Sequence, residues 1–347
     1  MTGTLSRTIL TATIALAASA ALSLKPAKAQ SPEAFFKGKT VSILMGTGPG
    51  GSYDLYGRVI AQHIGQHIPG NPRIIVEHMP GAGGANAGNY IFAKAPQDGS
   101  KILMTHALPL IEKLSGRKNL AFKSDKFQWI GSFGEITQIL TLWHTAPAKS
   151  LAEIRTAKDL VLGSMGTSHL SYQWASLLKL ATGAPYRIIT GYNKGGAINL
   201  AMERGEVHGW TVAYESIAGS KPQWIRDKKV NMLVSFTLDR LPQLPDVPTL
   251  IELTPKENRD IAELISAGTP IARGLAYGPG VPKDRVDAVR KAFETMMKDK
   301  DFIAEAGKRD LALRYRSASE VQKLVEKITG ASPELISRTM KAVGSKK

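Results

Sequence analysis

Cysteine is absent from the 347 residues of the chain. Its absence excludes disulfide frameworks, cysteine-ligated zinc fingers, iron–sulfur clusters and cysteine nucleophiles. Acidic residues are also scarce, because 29 Asp and Glu stand against 45 Lys and Arg, which gives a formal net charge of +16. Such a balance favours nucleic acids, membrane surfaces or small anions as partners, and other features of the sequence have to separate these classes.

Catalytic motifs are scarce as well. The sequence contains no G-x-S-x-G nucleophile motif. His63 and His67 lie four residues apart on one predicted helix face, but Ile64 follows where a zinc protease carries Glu. We interpret the two histidines as a solvated surface pair. The sequence therefore predicts a protein that is not an enzyme, with no catalytic residue, no metal site and no cofactor.

The first thirty residues carry a targeting signal. Arg7 precedes an apolar run over residues 9–24, and Ala27-Lys28-Ala29 precedes Gln30. A basic residue, an apolar run and a small-x-small site are typical of a secretory signal peptide, here residues 1–29, cleaved after Ala29. The run of about sixteen residues is short for a membrane span, which needs roughly 20. We therefore predict a periplasmic protein, for which nucleic acid is not an expected partner.

Short apolar runs, glycine loops and helical repeats alternate from Lys39 onward. Val41–Met45 is such an apolar run, and Leu55, Val59 and Ile60 then recur at helical spacing. This alternation predicts an α/β fold with two lobes, each a doubly wound parallel sheet, and a ligand cleft between them. We place lobe one at 30–130 and 251–347 and lobe two at 131–250. The chain is expected to cross between the lobes near 127–134 and 248–270.

The C-terminal region is expected to end in one amphipathic helix. The apolar spacing predicts a last helix from about Ser319 to Ile328, with Ser319 as its N-cap. The polar tail from Val343 is expected to be frayed.

Four glycine-rich loops follow predicted strands, and a helix follows each loop. They span Gly46–Gly51, Pro80–Gly84, Gly163–Ser168 and Gly191–Gly196. Glycine lets a ligand approach the backbone N–H groups, and a helix N-terminus attracts anions. The first loop also matches the G-x-G-x-x-G dinucleotide motif, but Pro49 lacks an amide hydrogen and Glu77 comes 26 residues after Gly51, later than is usual. An anion-binding cleft is favoured, and an exported nucleotide-dependent oxidoreductase stays an alternative.

The loops and strand ends supply a predicted set of ligand-binding residues. The set is Gly50, Gly51, Ser52, Tyr53, Thr105, His106, Ser164, Thr167, Ser168 and Gly195. One ligand carboxylate is expected on the amides of Gly50, Gly51 and Ser52. Asp54 is assigned to the start of the helix, because its charge would repel an anionic ligand. The sequence leaves open whether four further side chains face the cleft: His106, His169, Trp210 and Tyr214.

Several motifs, taken in order, resemble the extracytoplasmic solute-binding receptors of tripartite tricarboxylate transporters, the Bug-type receptors. The motifs are Pro49-Gly50-Gly51 with Asp54, Val76-Glu77 before Pro80–Gly84, Ala95-Pro96 with Asp98-Gly99, Tyr192–Ala197 and Leu244–Thr249. The resemblance implies a type II periplasmic-binding-protein fold that closes on its ligand like a hinge. It also implies a carboxylate ligand held by backbone amides and ordered water, and delivery to membrane transporter subunits. We expect a monomer.

Three departures from the family pattern lie where ligand identity is set. Gln97 is inserted into the usual A-P-D-G string. Thr105-His106-Ala107 replaces a hydroxyl-rich stretch, and Gly209–Val212 replaces an apolar strand end followed by Asp. The resemblance therefore does not carry a ligand over to this chain. A periplasmic sensor that reports its ligand to a signalling partner stays a second alternative.

The signal peptide gives a direct test of export. Expression of the full chain in a bacterium should give a periplasmic protein that begins at Gln30, because signal peptidase cuts after small-x-small sites. N-terminal sequencing of the periplasmic fraction measures this. A periplasmic product that still begins at Met1 would contradict the prediction.

Overall fold

The computed structural model describes residues 30–50, 52–167 and 169–344, so the predicted signal peptide and its cleavage site lie outside the described residues. The strands are β1 Thr40–Met45, β2 Arg73–His78, β3 Lys101–Thr105, β4 Gln128–Ser132, β5 Gln138–Trp143, β6 Val161–Gly163, β7 Arg187–Ile189, β8 Gly209–Ala213, β9 Val230–Ser235, β10 Gly274–Tyr277 and β11 Arg316–Ser317. The helices are α1 Pro32–Phe36, α2 Ser52–Ile64, α3 Ala85–Ala93, α4 Leu108–Leu114, α5 Leu151–Ile154, α6 Leu170–Thr182, α7 Gly195–Glu203, α8 Tyr214–Ser220, α9 Pro222–Arg226, α10 Leu250–Leu253, α11 Arg259–Ser266, α12 Lys283–Met296, α13 Lys300–Lys308, α14 Ala318–Thr329 and α15 Pro333–Ala342. Within the described residues, no helix combines the length and the hydropathy that a membrane span requires.

The strands form two separate sheets, as the sequence predicts for a two-lobed α/β protein. Sheet one has the order β11-β4-β10-β3-β1-β2, and sheet two has the order β7-β6-β8-β5-β9. Strands joined through helices run parallel, as β1 does with β2 and β3, and β6 with β7 and β8.

The prediction of wholly parallel sheets is wrong at the strands that enter from the other lobe. β10 runs antiparallel to β3 and β4, and β5 runs antiparallel to β8 and β9. Parallel neighbours need a crossover connection, usually a helix packed on the sheet. A strand that arrives directly from the other sheet has no such crossover, so it can pair in the opposite direction.

Two segments connect the sheets. Residues 133–137 carry the chain from β4 to β5, and residues 236–273 return it from β9 to β10. The first crossing overlaps the end of the expected 127–134 segment, and the second contains the expected 248–270 segment. Because the first crossing runs from the end of β4 to the start of β5, the carboxyl end of β4 in sheet one lies close to the amino end of β5 in sheet two.

Helices cover both faces of each sheet. Neighbouring strand residues point to opposite faces, so Ile43 packs with α2 and α12 while Leu44 packs with α3 and α14. In sheet two, Leu162 packs with α6 and α11, whereas Val161 packs with α7 and α8. This two-sided burial is typical of strands in helix-covered α/β sheets, and it leaves the strand ends as the accessible part.

The C-terminal region differs from the sequence prediction. The N-cap of α14 is Ser317, which forms a capping box with Glu320, so the assignment of the cap to Ser319 is wrong. A further helix, α15, follows α14, and Val343 is 2% exposed within the core cluster of sheet two. The expected fraying is therefore wrong at Val343, whose buried side chain anchors the end of α15, and residues 345–347 lie outside the described residues.

Gly209 allows a close approach of two strands in sheet two. It pairs with Leu142 of β5 and with Leu162 of β6, and a Cβ atom there would overlap the Thr141 carbonyl oxygen and the Leu142 side chain. Because backbone atoms would have to move, we expect Gly209→Ala to lower the free energy of unfolding by about 2 kcal/mol or more. Urea unfolding followed by circular dichroism measures this.

Gly219 in α8 provides the matched control for this substitution. A Cβ atom at Gly219 meets nothing within 4 Å. Gly219→Ala should therefore raise the free energy of unfolding by about 0.5–1 kcal/mol, through the lower entropy of the unfolded chain. Equal effects of the two substitutions would show that strand spacing at Gly209 does not limit stability.

Candidate functional site

The carboxyl ends of β1 and β3 and the start of β10 lie at one edge of sheet one. Met45 pairs with Met104, and Thr105 pairs with Gly274. Gly274 also pairs with Ser132, the last residue of β4. The first glycine loop, His106 and Arg273 therefore extend from neighbouring positions on the edge from which the crossing 133–137 departs.

Asp54 holds the first glycine loop in place. The residue is 6% exposed, and its Oδ2 accepts hydrogen bonds from the Gly50 amide and from Arg58 Nε, each at 3.0 Å. Its Oδ1 lies 3.1 Å from His78 Nε2. Burial by itself would raise the pKa of this carboxyl, but the hydrogen bonds from Gly50 and Arg58 outweigh burial and lower the pKa. Asp54 therefore serves the loop, as the sequence analysis expects.

This arrangement corrects one predicted ligand contact. The sequence analysis assigns the amide of Gly50 to the ligand, but that amide already donates to Asp54. Gly50 has a φ of +84°, which favours glycine and turns the loop back toward the carboxylate. Of its neighbours, Gly51 lies outside the described residues, and the structure describes Ser52 as the first residue of α2 without its side chain.

Tyr53 and His106, two predicted site residues, are in contact. Their ring centroids are 4.4 Å apart, and the Tyr53 hydroxyl donates a 2.7 Å hydrogen bond to the Ala272 carbonyl. Burial, reinforced by the positive charges of Arg273 and His169, lowers the pKa of His106 to about 4. Within the described residues, His106 Nδ1 has no hydrogen-bond partner. The ring is therefore neutral at pH 7, with one nitrogen still able to bind another group.

The loop after β6 is organised by its own hydroxyl groups. Ser164 is fully buried, and its Oγ lies 2.8 Å from Ser171 Oγ and accepts a 3.3 Å bond from the Gly166 amide. His169 Nδ1 accepts from the Ser171 amide and caps α6. The predicted ligand contact through the Ser164 hydroxyl is thus replaced by a contact within the loop. Thr167 is exposed at the loop surface, and Ser168 lies outside the described residues.

Gly195, the first residue of α7, lies against a buried tryptophan. A Cβ atom at Gly195 would be 2.7 Å from Trp210 Cη2. Trp210 is 5% exposed and donates a 3.1 Å hydrogen bond from Nε1 to Asn199 Oδ1. Trp210 is therefore a core residue, and Gly195 leaves room for it. Tyr214 opens α8 and is half-buried.

Sequence reasoning missed a charged pair beneath the loops. Arg273 Nη1 lies 3.5 Å from Glu215 Oε1, and the two side chains are 2% and 10% exposed. The Thr137 hydroxyl in the crossing segment donates to Glu215 Oε2. Arg273 is the only charged residue between Glu263 and Lys283, and this isolation within an apolar stretch is the signal that could have identified it.

Metal binding finds no support in the described part of the chain. Within residues 30–50, 52–167 and 169–344, no three His, Cys, Asp or Glu side chains lie close enough together to hold a metal ion.

Comparisons with known proteins match the chain to one family. The family model described as the tripartite tricarboxylate transporter family receptor matches residues 57–339. A UPF0065 protein of Bordetella pertussis is 28% identical over 265 residues, which cover 75% of this chain and 76% of that protein.

Solved structures show the same fold. A TctC solute-binding protein from Polaromonas, solved without ligand, superposes with a TM-score of 0.69 at 21% identity, covering 86% of this chain and 98% of that one. MatC from Rhodopseudomonas palustris with bound malate superposes with a TM-score of 0.59 at 23% identity, covering 88% and 99%.

His106 predicts an acid-sensitive stability. Its folded-state pKa of about 4 lies below the ordinary value of 6.5. Between these values the unfolded chain takes up a proton that the folded protein does not, so the free energy of unfolding falls as the pH falls through this window. Between pH 7.5 and 4.5, the free energy of unfolding of His106→Gln should fall by about 2 kcal/mol less than that of the unsubstituted protein. The variant lacks the group whose pKa is lower in the folded protein than in the unfolded chain.

Urea unfolding at several pH values measures this difference. At pH 7.5, His106 is neutral in both the folded and the unfolded protein. The difference in free energy of unfolding between the two proteins at this pH therefore measures the effect of the substitution on packing. Two stability curves that stay parallel down to pH 4.5 would contradict the assignment.

Proposed function

Because the chain belongs to the tripartite tricarboxylate transporter receptor family, we propose that it captures a small carboxylate and delivers it to the membrane subunits of a transporter of that type. A receptor of this family binds solutes and is not an enzyme. The alternative of an exported oxidoreductase is thereby excluded. Malate in the related MatC supports a carboxylate as the ligand class here.

The observation that supports this proposal is bare backbone in loops that follow strands of both sheets. Cβ atoms added at Gly48, Gly166 and Gly196 would each meet nothing within 4 Å, and none of the three has a positive φ. Side chains could therefore occupy these positions without strain, yet glycine leaves the backbone open. Open N–H groups in the loops before α2 and α6 and in the first turn of α7 suit an anionic ligand.

We place one ligand carboxylate at the start of α2, on the amides of Gly51 and Ser52, beside Thr105 and His106. Thr167, Ser168 and the loop that ends at Gly195 approach it from lobe two. His106, being neutral, can hydrogen-bond a carboxylate without adding charge. Gly50 and Ser164 support the loops from within.

Ligand capture then proceeds by rotation of the lobes about their two connections. We assign sheet one and the helices packed on it to lobe one, and sheet two with its helices to lobe two, including the face of α11 and the Val343 side chain that pack in the core of sheet two. We place the bending within 133–137 and 236–273. Closure brings helix N-termini from both lobes onto one anion, and exclusion of water strengthens each hydrogen bond. The receptors of this family are periplasmic, which supports export of this chain. Cleavage after Ala29 stays a prediction.

Loop glycines with open surroundings give a test of this binding mode. A thermal-shift screen of small carboxylates should identify a ligand, which at 100 times its dissociation constant adds about 2.7 kcal/mol to stability. Gly166→Val and Gly196→Val should then weaken binding at least tenfold, since their side chains cover the backbone. Isothermal titration calorimetry measures the change.

Gly307→Val is the matched control. Gly307 lies in α13, where a Cβ atom also meets nothing within 4 Å, and α13 packs on the C-terminal part of α2, where Phe302 contacts His63. This variant should bind like the unsubstituted protein. Normal binding by all three variants would refute the backbone site, and a screen in which no carboxylate binds would refute the ligand class.

A further inference from the structure

β9 forms an open edge of sheet two. It is the last strand in the order β7-β6-β8-β5-β9, and it pairs with β5 on one side. At its carboxyl end the outer side is closed, because the Ser235 amide donates a 2.9 Å hydrogen bond to the Pro248 carbonyl. Within the described residues, no strand pairs with the outer side between Val230 and Val234. The main-chain groups on that side are therefore available to a further strand.

This edge lacks the charged residues and prolines that commonly protect an edge strand from pairing with another chain. The open stretch 230–234 reads Val-Asn-Met-Leu-Val. By contrast, β2 at the edge of sheet one carries Arg73 and Glu77, and β7 at the other edge of sheet two begins with Arg187. The uncharged edge of β9 therefore indicates a surface that can pair with another chain.

A cavity of about 300 Å³ lies along this edge. Met232 and Leu233 line it from opposite faces of β9, since Met232 packs with the core cluster of α7 and α8 and Leu233 packs with that of α6 and α11. A cavity that reaches both faces must run around the edge of the strand. The other lining residues are Ile225, Lys228, Val230, Asn231, Leu244 and Val247.

The cavity suits an extended peptide segment. Its outer wall is a turn that carries Leu244 and Val247 and is held by a hydrogen bond from the Val247 amide to the Leu244 carbonyl. A strand inserted between this turn and β9 would form main-chain hydrogen bonds with β9, while its side chains alternate between the two faces of the sheet. Most of the lining is apolar and half-buried. The segment is therefore expected to carry apolar residues at alternate positions.

The charge around the cavity selects among such segments. Lys228 lines it, Lys229 follows, and both are exposed at the amino end of β9. The preceding acid, Asp227, pairs with Arg226, and neither lysine forms an ion pair within the described residues. The chain also has 16 more basic than acidic residues. An acidic segment complements this charge, whereas a second copy of the chain would bring the same positive charge.

The groove is separate from the carboxylate cleft. Val230 pairs with Trp143 at the carboxyl end of β5, whereas the crossing 133–137 enters β5 at its amino end. We propose that the β9 edge binds an extended segment of a partner protein, which has apolar residues at alternate positions and an acidic residue beside Lys228. The segment adds a strand to sheet two. This inference is independent of the proposed carboxylate binding, so either can fail without the other.

Synthetic peptides test the groove directly. The probe is acetyl-Glu-Val-Thr-Val-Thr-Val-Glu-amide, in which valine and threonine favour a strand and both ends are acidic. Fluorescence anisotropy of the labelled peptide should give a dissociation constant of about 100 μM or tighter. A proline in place of the central valine removes an N–H group and should weaken binding at least tenfold. Lysine in place of both glutamates should weaken binding at least threefold.

Hydrogen exchange shows where the probe binds. Main-chain pairing should slow amide exchange in residues 230–234, measured by mass spectrometry, because the outer groups of β9 become hydrogen-bonded. Exchange in the first glycine loop, residues 46–50, should not change. Protection of that loop instead of β9 would overturn the inference.

Leu244→Glu tests the outer wall, because it places a negative charge beside the bound segment and should weaken binding of the probe at least tenfold. Ile303→Glu is the matched control. Ile303 is 47% exposed in α13, which belongs to lobe one, so this variant should bind like the unsubstituted protein. Circular dichroism melts confirm that each variant is folded, and the peptide comparisons on the unsubstituted protein hold whether or not Leu244→Glu folds.

Three results would overturn the inference while carboxylate binding stands. They are no binding of the probe, equal binding of the proline peptide, and the same loss in Leu244→Glu and Ile303→Glu. Size-exclusion chromatography with light scattering provides a fourth check. A dimer of the unsubstituted protein that Leu244→Glu dissociates would also overturn the inference, because a second copy would then occupy the edge.

Discussion

The short crossing 133–137 is the constraint on which the rest of the site depends. It joins the end of β4 to the start of β5, so the two sheets must present neighbouring edges to each other. Hydrogen bonds fix it on both sides, from the Ile136 amide to the Thr269 carbonyl and from the Tyr214 amide to the Thr137 carbonyl. So short a connection limits how far the end of β4 and the start of β5 can separate.

Electrostatics at this axis are set by burial. A charge removed from water loses hydration, and a single partner seldom compensates for the loss unless further hydrogen bonds are made. Arg273 has the Tyr56 ring and Glu215 as neighbours, and its field contributes to the low pKa of His106. Within the described residues, this region therefore brings together the Arg273–Glu215 pair and the neutral imidazole of His106.

Local patterns predicted a large part of this molecule, and long-range pairing explains what they missed. Alternating apolar runs and glycine loops indicate the helix-connected strands, because each unit is encoded within a few dozen residues. The direction of β10 depends on strands more than a hundred residues earlier in the chain, and no local period records it. The same holds for the site. The place of Asp54 beside the loop is enough to assign it to the start of the helix. Its bond to Gly50, the packing of Trp210 on Gly195 and the Arg273–Glu215 pair join residues that the sequence does not connect, so only the structure shows them.

The position of β10 also determines the order in which the chain can be assembled. β10 fills the gap between β3 and β4, although it is synthesised long after both. Until residues 274–277 are available, β3 and β4 each keep an unpaired edge, and the shorter of the two loops that close the gap spans residues 133–273, between β4 and β10. Sheet two is built from residues 138–235 alone, and its longest loop closure, between β5 and β9, spans residues 144–229. Sheet two can therefore complete its pairing first, and we expect formation of sheet one to be the slower step of folding.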